Sequence, residues 1–129
     1  MAVNDFQLTK HFNLREFQCH DETQAVKLDP ELPKKLEILR GLVSEHRGKD
    51  TPLKITSGYR TPAYNEKVGG AKNSQHKEGK AADLIIPDGL DVDRFAKFAE
   101  RAGFDGLGKY HTFLHVDVRG YKSRWDDRK

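Results

Sequence analysis

The stretch Leu114-His115-Val116-Asp117-Val118-Arg119 alternates strictly between apolar and polar residues. Successive side chains of a β-strand point to opposite faces of the sheet. The apolar residues are therefore predicted to pack into a core, while His115, Asp117 and Arg119 share the other face. This segment predicts a strand that displays an imidazole, a carboxylate and a guanidinium in one row.

A second polar stretch, Ser74-Gln75-His76-Lys77-Glu78-Gly79-Lys80-Ala81-Ala82-Asp83, lies about thirty residues upstream. When no thiol is present, imidazole and carboxylate are the ligands that suit zinc, and three protein ligands with one open position are typical of a catalytic site. The glycine and alanines between His76 and Asp83 would let the backbone pass close to a metal held with His115. From spacing alone, solvated surface groups remain the alternative.

The rest of the chain predicts an α+β fold. Asp29-Pro30 reads as an N-cap and a first-turn proline, and the apolar residues that follow have helical spacing up to Gly48. A second helix is predicted over 91–102, with Gly103 as its end. Short strands are predicted at 53–56 and 82–86, a helical turn at 61–70 and an exposed loop at 71–80.

We expect one domain, because 129 residues leave no room for a second full one. Residues 1–28 are predicted to be a lead segment packed on the body, and residues 29–129 one compact unit. The anchors of the lead segment are predicted to be four apolar side chains: Phe6, Phe12, Leu14 and Phe17.

Composition excludes several classes of function. The net charge is only +3 and no basic block alternates with aromatic residues, so nucleic-acid binding is not expected. Cys19 is the only cysteine, which excludes an intrachain disulfide and Cys-rich zinc sites. No run reaches the ~20 apolar residues of a membrane span, and no signal-peptide pattern opens the chain. We expect a monomer that is synthesised in the cytoplasm.

Several motifs, taken together, resemble the zinc D-Ala-D-Ala carboxypeptidase family of peptidoglycan metallopeptidases. They follow in order between residues 57 and 125: Ser57-Gly58-Tyr59-Arg60, Asn65, Gly69-Gly70-Ala71, Ser74-x-His76-x-x-Gly79-x-Ala81-x-Asp83, Gly106-x-Gly108-x-Tyr110, Phe113-x-His115-x-Asp117-x-Arg119 and Trp125. The resemblance implies the hedgehog/DD-peptidase fold, an antiparallel sheet flanked by helices. Linked motifs of this kind are more specific than one short pattern.

The resemblance also implies roles for individual residues. Zn²⁺ would be bound by His76, Asp83 and His115. Arg60 would bind the substrate carboxylate or the oxygen of the scissile bond, for which a permanently charged, bidentate guanidinium is suited. Ser74 and Tyr110 match positions at which the substrate would bind.

The catalytic base is left open. Many members of the family have Glu or His three residues before the last zinc ligand, but here Thr112 occupies that position and cannot accept a proton near neutral pH. Asp117 is the favoured candidate because it shares the strand face of His115, and it could instead orient that imidazole. His111 is the second candidate and Glu78 the third.

By resemblance, the expected function is zinc-dependent hydrolysis of an amide bond in peptidoglycan stem peptides or cross-links. Compact chains of this kind resemble phage endolysins, which would reach the cell wall by phage-type release. The alternative is a non-catalytic, zinc-bearing domain that binds cell wall or a phage structure, which the threonine at position 112 would permit. A second alternative function is hydrolysis of the free D-Ala-D-Ala dipeptide.

Overall fold

A five-stranded mixed sheet forms the centre of the computed structural model, which describes residues 3–128. Its strands are β1 Ile55–Ser57, β2 Ala81–Ile85, β3 Gly106–Lys109, β4 Phe113–Asp117 and β5 Ser123–Asp126, in the order β1-β2-β4-β3-β5. The helices are α1 Glu31–Arg47, α2 Pro62–Lys67 and α3 Val92–Ala102, with short 3₁₀ helices at Leu14–Phe17 and Gln75–Glu78. This single α+β domain confirms the predicted fold class.

The pairing at one edge of the sheet differs from the expected antiparallel arrangement. The other pairs are antiparallel, but β3 and β5 run parallel. After β4 the chain turns back and crosses to the outer edge of β3, where it forms β5. Because β3 and β5 both run opposite to β4, they must run parallel to each other.

The α1 helix has the apolar face that its sequence predicts. Its inward residues Leu32, Leu36, Leu39 and Val43 are completely buried, and Gly48 ends it with a φ of 70°. The start differs by one residue: Pro30 occupies the N-cap position, and the side chain of Asp29 instead accepts a hydrogen bond of 2.9 Å from the backbone N–H of Glu31.

The described part of the lead segment packs against the two loops that frame His76. The backbone N–H of Tyr59 donates to the Phe17 carbonyl at 2.7 Å, and just after the lead segment the N–H of Asp29 donates to the Gly79 carbonyl at 2.9 Å. A Cβ at Gly79 or at Gly58 would overlap lead-segment backbone, so only glycine permits these approaches.

The aromatic anchors of this segment are only partly those predicted. Phe12 and Phe17 are buried, but Phe6 is 65% exposed, so its prediction as an anchor is wrong. Phe6 directly precedes the bridge between Gln7 and Asn13, and its contribution there is backbone hydrogen bonding with Asn4 and Leu14. Among residues 3–128, no helix has the length and apolar character needed to cross a bilayer.

Candidate metal centre

Sheet register brings the predicted metal ligands together. Asp83 on β2 is directly opposite His115 on β4. His76 lies in the 3₁₀ helix Gln75–Glu78, which immediately precedes β2, rather than in an exposed loop as predicted. The side chain of Ser74 caps this helix by accepting a hydrogen bond from the His76 N–H. All three candidate ligands are buried.

The spacing of the ligand atoms fits one zinc ion. Oδ1 of Asp83 lies 3.2 Å from Nε2 of His76 and 3.3 Å from Nδ1 of His115. All three ligand atoms lie within 4.8 Å of one another. Around a tetrahedral zinc with ligand distances near 2.1 Å, neighbouring ligand atoms are about 3.4 Å apart. Both distances from Asp83 are close to this value, so the set is compatible with one zinc ion.

In both His76 and His115, the ring nitrogen that does not face Asp83 donates a hydrogen bond to an acceptor. Nδ1 of His76 donates to the Gly58 carbonyl at 2.7 Å, and Nε2 of His115 donates to Oδ2 of Asp117 at 2.7 Å. Acceptors of this kind fix the tautomer, which leaves the opposite nitrogen unprotonated for a metal. Both imidazoles thus direct their other ring nitrogen toward Asp83.

Two glycines of β3 make room behind this centre. A Cβ at Gly106 would overlap the carboxylate of Asp117, and a Cβ at Gly108 would overlap the indole of Trp125. Trp125 in turn packs against His115, with 5.0 Å between ring centroids. The spacing Gly106-x-Gly108 belongs to the recognised motif, but its role as a cradle for two side chains was not evident from sequence.

Charge pairing keeps both carboxylates ionised. Burial by itself would raise the pKa of Asp83, but hydrogen bonds from His115 and His76 hold that pKa well below its ordinary value. Burial opposes ionisation of Asp117 in the same way, and hydrogen bonds from His115 and Arg119 lower its pKa. Burial would lower the pKa of His115, but its bonds to Asp117 and Asp83 raise it. Both buried carboxylates therefore favour a cation between them.

Asp117 is fully buried, and its oxygens are occupied. Beside the bond from His115, it accepts hydrogen bonds from Nε and Nη2 of Arg119 at 3.0 and 2.7 Å. Its carboxylate contacts the ring nitrogen of His115 that is not near Asp83. Asp117 thus contacts His115, as the shared strand face predicts, and its role as base or as orienting group stays a prediction.

Arg60 lies on the opposite side of the ligand set. Its Nη2 is 3.5 Å from Oδ2 of Asp83, while Ser57 and Asn65 accept hydrogen bonds from Nε and Nη1 at 3.2 Å each. Buried Asn65 also donates to the Ala71 carbonyl. Asn65 was seen in the sequence only as a motif position, and here it fixes the direction of the guanidinium.

These groups open onto a cavity of about 610 Å³. Its lining includes His76, Asp83 and His115, as well as Arg60, Ser74, Tyr110, Phe113, Arg119, Trp125 and Asp127. One wall is aromatic: Tyr110 stacks on Phe113 with 4.3 Å between centroids, and its hydroxyl accepts a hydrogen bond from the Trp125 indole. The cavity thus combines the candidate metal ligands with an apolar wall and two guanidiniums.

His111 and Glu78, the other two candidates for the base, lie elsewhere, and so does Thr112. His111 and Thr112 are exposed and line a separate hollow beside Pro87 and Arg128. Glu78 is exposed and its carboxylate lies 3.5 Å from the ammonium of Lys27. The structure does not bring any of the three to the cavity that contains the ligand set.

Comparisons with known proteins identify the family. The sequence model of the family described as Peptidase M15 matches residues 10–117. The chain is 33% identical over 92 residues to the zinc D-Ala-D-Ala carboxypeptidase of Streptomyces albus G, a match covering 71% of this chain and 30% of that protein. It is 31% identical over 102 residues to the probable peptidoglycan L,D-endopeptidase MepK of Haemophilus influenzae, covering 74% of this chain and 53% of that protein. The chain thus spans about half or less of the length of these relatives. On the extent of the family match, this chain belongs to the Peptidase M15 family.

Proposed function

We propose that this chain is a zinc-dependent peptidase that hydrolyses an amide bond in peptidoglycan stem peptides or their cross-links. The observation that carries the proposal is the ligand set itself: His76, Asp83 and His115 are buried, have ligand atoms within 4.8 Å of one another and open onto a cavity. The printed names of both relatives support a peptidoglycan substrate, and they differ in the bond that they specify.

The donor set suits zinc better than the other common divalent ions. Two imidazoles and one carboxylate, without thiols, form a typical catalytic zinc site, whereas magnesium and calcium prefer oxygen ligands alone. Bound zinc would supply Lewis-acid activation of water and of the scissile carbonyl.

The residues around the metal centre have separate tasks in this proposal. The Gly58 carbonyl and Asp117 hold the two imidazoles in the ligand tautomer. Arg60, fixed by Asn65 beside Asp83, offers a guanidinium to a substrate carboxylate or to the oxygen of the scissile bond. Tyr110 contributes to an aromatic wall along which a peptide would lie.

A non-catalytic zinc domain is the second candidate, and one observation favours it. Asp117 has its oxygens occupied by His115 and Arg119, and Thr112 lies outside the cavity. A domain that only binds cell wall needs no proton acceptor at the metal.

Digestion of purified peptidoglycan decides between the two candidates. Zinc-loaded and chelator-treated protein would be compared, with new termini identified by mass spectrometry. The peptidase proposal predicts new amine and carboxyl termini only with zinc, and their masses identify the bond that is cut. Stoichiometric zinc without new termini would instead support the binding domain. Parallel assays on free D-Ala-D-Ala test the dipeptidase alternative.

A further inference from the structure

Arg119 is a rigid cation in the wall of the cavity. Its Nε and Nη2 donate to Asp117, and the carbon at the centre of its guanidinium lies 5.2 Å from the ring centroid of Trp125 and 5.6 Å from that of Tyr121. Its side chain is 15% exposed, and it lines the cavity together with the candidate zinc ligands. Contacts on several sides therefore hold its charge at one position.

The bonds to Asp117 engage only one edge of this guanidinium. A guanidinium carries five N–H groups in a planar fork. Asp117 takes one from Nε and one from Nη2, and the exposed Tyr121 side chain takes a third hydrogen bond, so two N–H groups remain for another acceptor. A residue that served only to hold Asp117 would have no need to reach the cavity. Arg119 reaches both the buried carboxylate and the cavity.

The two guanidiniums flank the ligand set. Arg60 contacts Asp83 on one side, and Arg119 is linked through Asp117 to His115 on the other. With a divalent cation bound, the positive charges of the centre outnumber its three nearby carboxylates, including the exposed Asp127. The resulting field attracts an anionic ligand.

We propose that Arg119 binds a carboxylate of the substrate on the His115 side of the metal centre. This inference rests on the proposed peptidase function and narrows its substrate class. The substrate is an acidic peptide that has a carboxylate in addition to the group that Arg60 contacts. A carboxylate that accepts a hydrogen bond from a held guanidinium gains a charge-assisted interaction.

Trp125 offers a direct readout of binding because it is the only tryptophan and packs between His115 and Arg119. Its fluorescence would be followed by stopped flow as zinc-loaded protein is mixed with a synthetic stem tetrapeptide. The same measurement would be made with tetrapeptides in which one carboxylate at a time is replaced by its amide. Wild type, Arg119→Gln and Arg119→Lys would be compared.

We expect one of the amide replacements to weaken binding to wild type by about tenfold, as for loss of one charged hydrogen bond. The same replacement should change binding to Arg119→Gln by less than about twofold. Arg119→Lys keeps the charge without the fork and should show an intermediate penalty, which also provides a test if the glutamine variant does not fold. Arg124→Gln, an exposed arginine outside this cavity, should retain the full tenfold penalty.

Equal amide penalties in wild type and in both Arg119 variants would overturn the inference. The inference would also be overturned if the Arg119 variants bound all peptides equally weakly and lost zinc affinity in a chelator competition. That result would mean that Arg119 only supports Asp117. If the wild-type protein cleaves peptidoglycan but the amide replacements weaken binding equally in wild type and in the Arg119 variants, the inference about Arg119 fails and the peptidase proposal stands. If the penalties depend on Arg119 but wild type cleaves nothing, the peptidase proposal fails and carboxylate binding stands.

Discussion

Replacing Asp117 with asparagine should weaken zinc binding while leaving the shape of the side chain unchanged. The wild-type carboxylate is completely buried and accepts hydrogen bonds of 2.7 Å from both His115 and Arg119. Both bonds end on Oδ2, while Oδ1 accepts hydrogen bonds from the backbone N–H and Nε of Arg119 at 3.2 and 3.0 Å. Asparagine has one acceptor oxygen and one NH₂ group, so the donors at one of these two positions lose their acceptor.

Each orientation of the asparagine has a cost for the metal site. If its oxygen takes the Oδ1 position, its NH₂ meets Nε2 of His115 and favours the tautomer with the proton on Nδ1, the nitrogen near Asp83. If its oxygen faces His115, a partly buried guanidinium loses its ionic partner. Loss of such an orienting partner typically costs 10- to 100-fold in metal affinity, or about 1.4 to 2.7 kcal/mol.

The assay is competition for zinc with a chromophoric chelator at neutral pH, with circular dichroism as the check on folding. Asp88→Asn removes the same charge from an exposed loop outside the metal-site cavity and should leave the zinc affinity unchanged. A folded Asp117→Asn protein with a zinc affinity within twofold of wild type would refute the orienting role.

Three further predictions concern the stability of the fold. Gly106→Ala should lower thermal stability by about 1 to 3 kcal/mol through overpacking against Asp117. As a control, Gly41→Ala in α1, where a Cβ meets no atom within 4 Å, should raise it by about 0.5 to 1 kcal/mol. Equal melting temperatures of the two variants would contradict this. Phe17→Ala should cost about 3 to 5 kcal/mol in urea unfolding because the ring is fully buried; a loss below 1 kcal/mol would show that the lead segment contributes little. Burial raises the pKa of Glu37, but hydrogen bonds from Thr9 and His11 lower it below the ordinary 4.5. The stabilisation from Glu37 is therefore complete above about pH 4.5 and is lost as the pH falls further. Glu37→Gln should flatten the decline in the free energy of unfolding measured below that pH. An unchanged slope would exclude the effect.

The sequence predicted elements with strong local signals. The apolar spacing of α1 and α3 identified both helices, because a helix that packs on a sheet must carry one apolar stripe. The alternation at 114–119 placed His115 and Asp117 on one strand, and the structure adds that this strand lies in the middle of the sheet. The motif at 74–83 named His76 and Asp83, which the structure brings to His115.

Features set by long-range packing were not predictable. The parallel pairing of β5 with β3 depends on how the chain crosses the sheet after Gly120, which short strands do not signal. The cradle formed by Gly106 and Gly108 becomes visible only when the side chains that fill it are known. Register between β2 and β4 likewise decided that Asp83 lies opposite His115.

The most direct test of the central claim is a crystal structure of zinc-soaked protein with anomalous data collected on both sides of the zinc absorption edge. We predict one strong zinc peak bound by Nε2 of His76, a carboxylate oxygen of Asp83 and Nδ1 of His115, with Nε2 of His115 still bonded to Asp117. A zinc peak at other residues, or coordination through Nε2 of His115, would contradict the proposed metal centre.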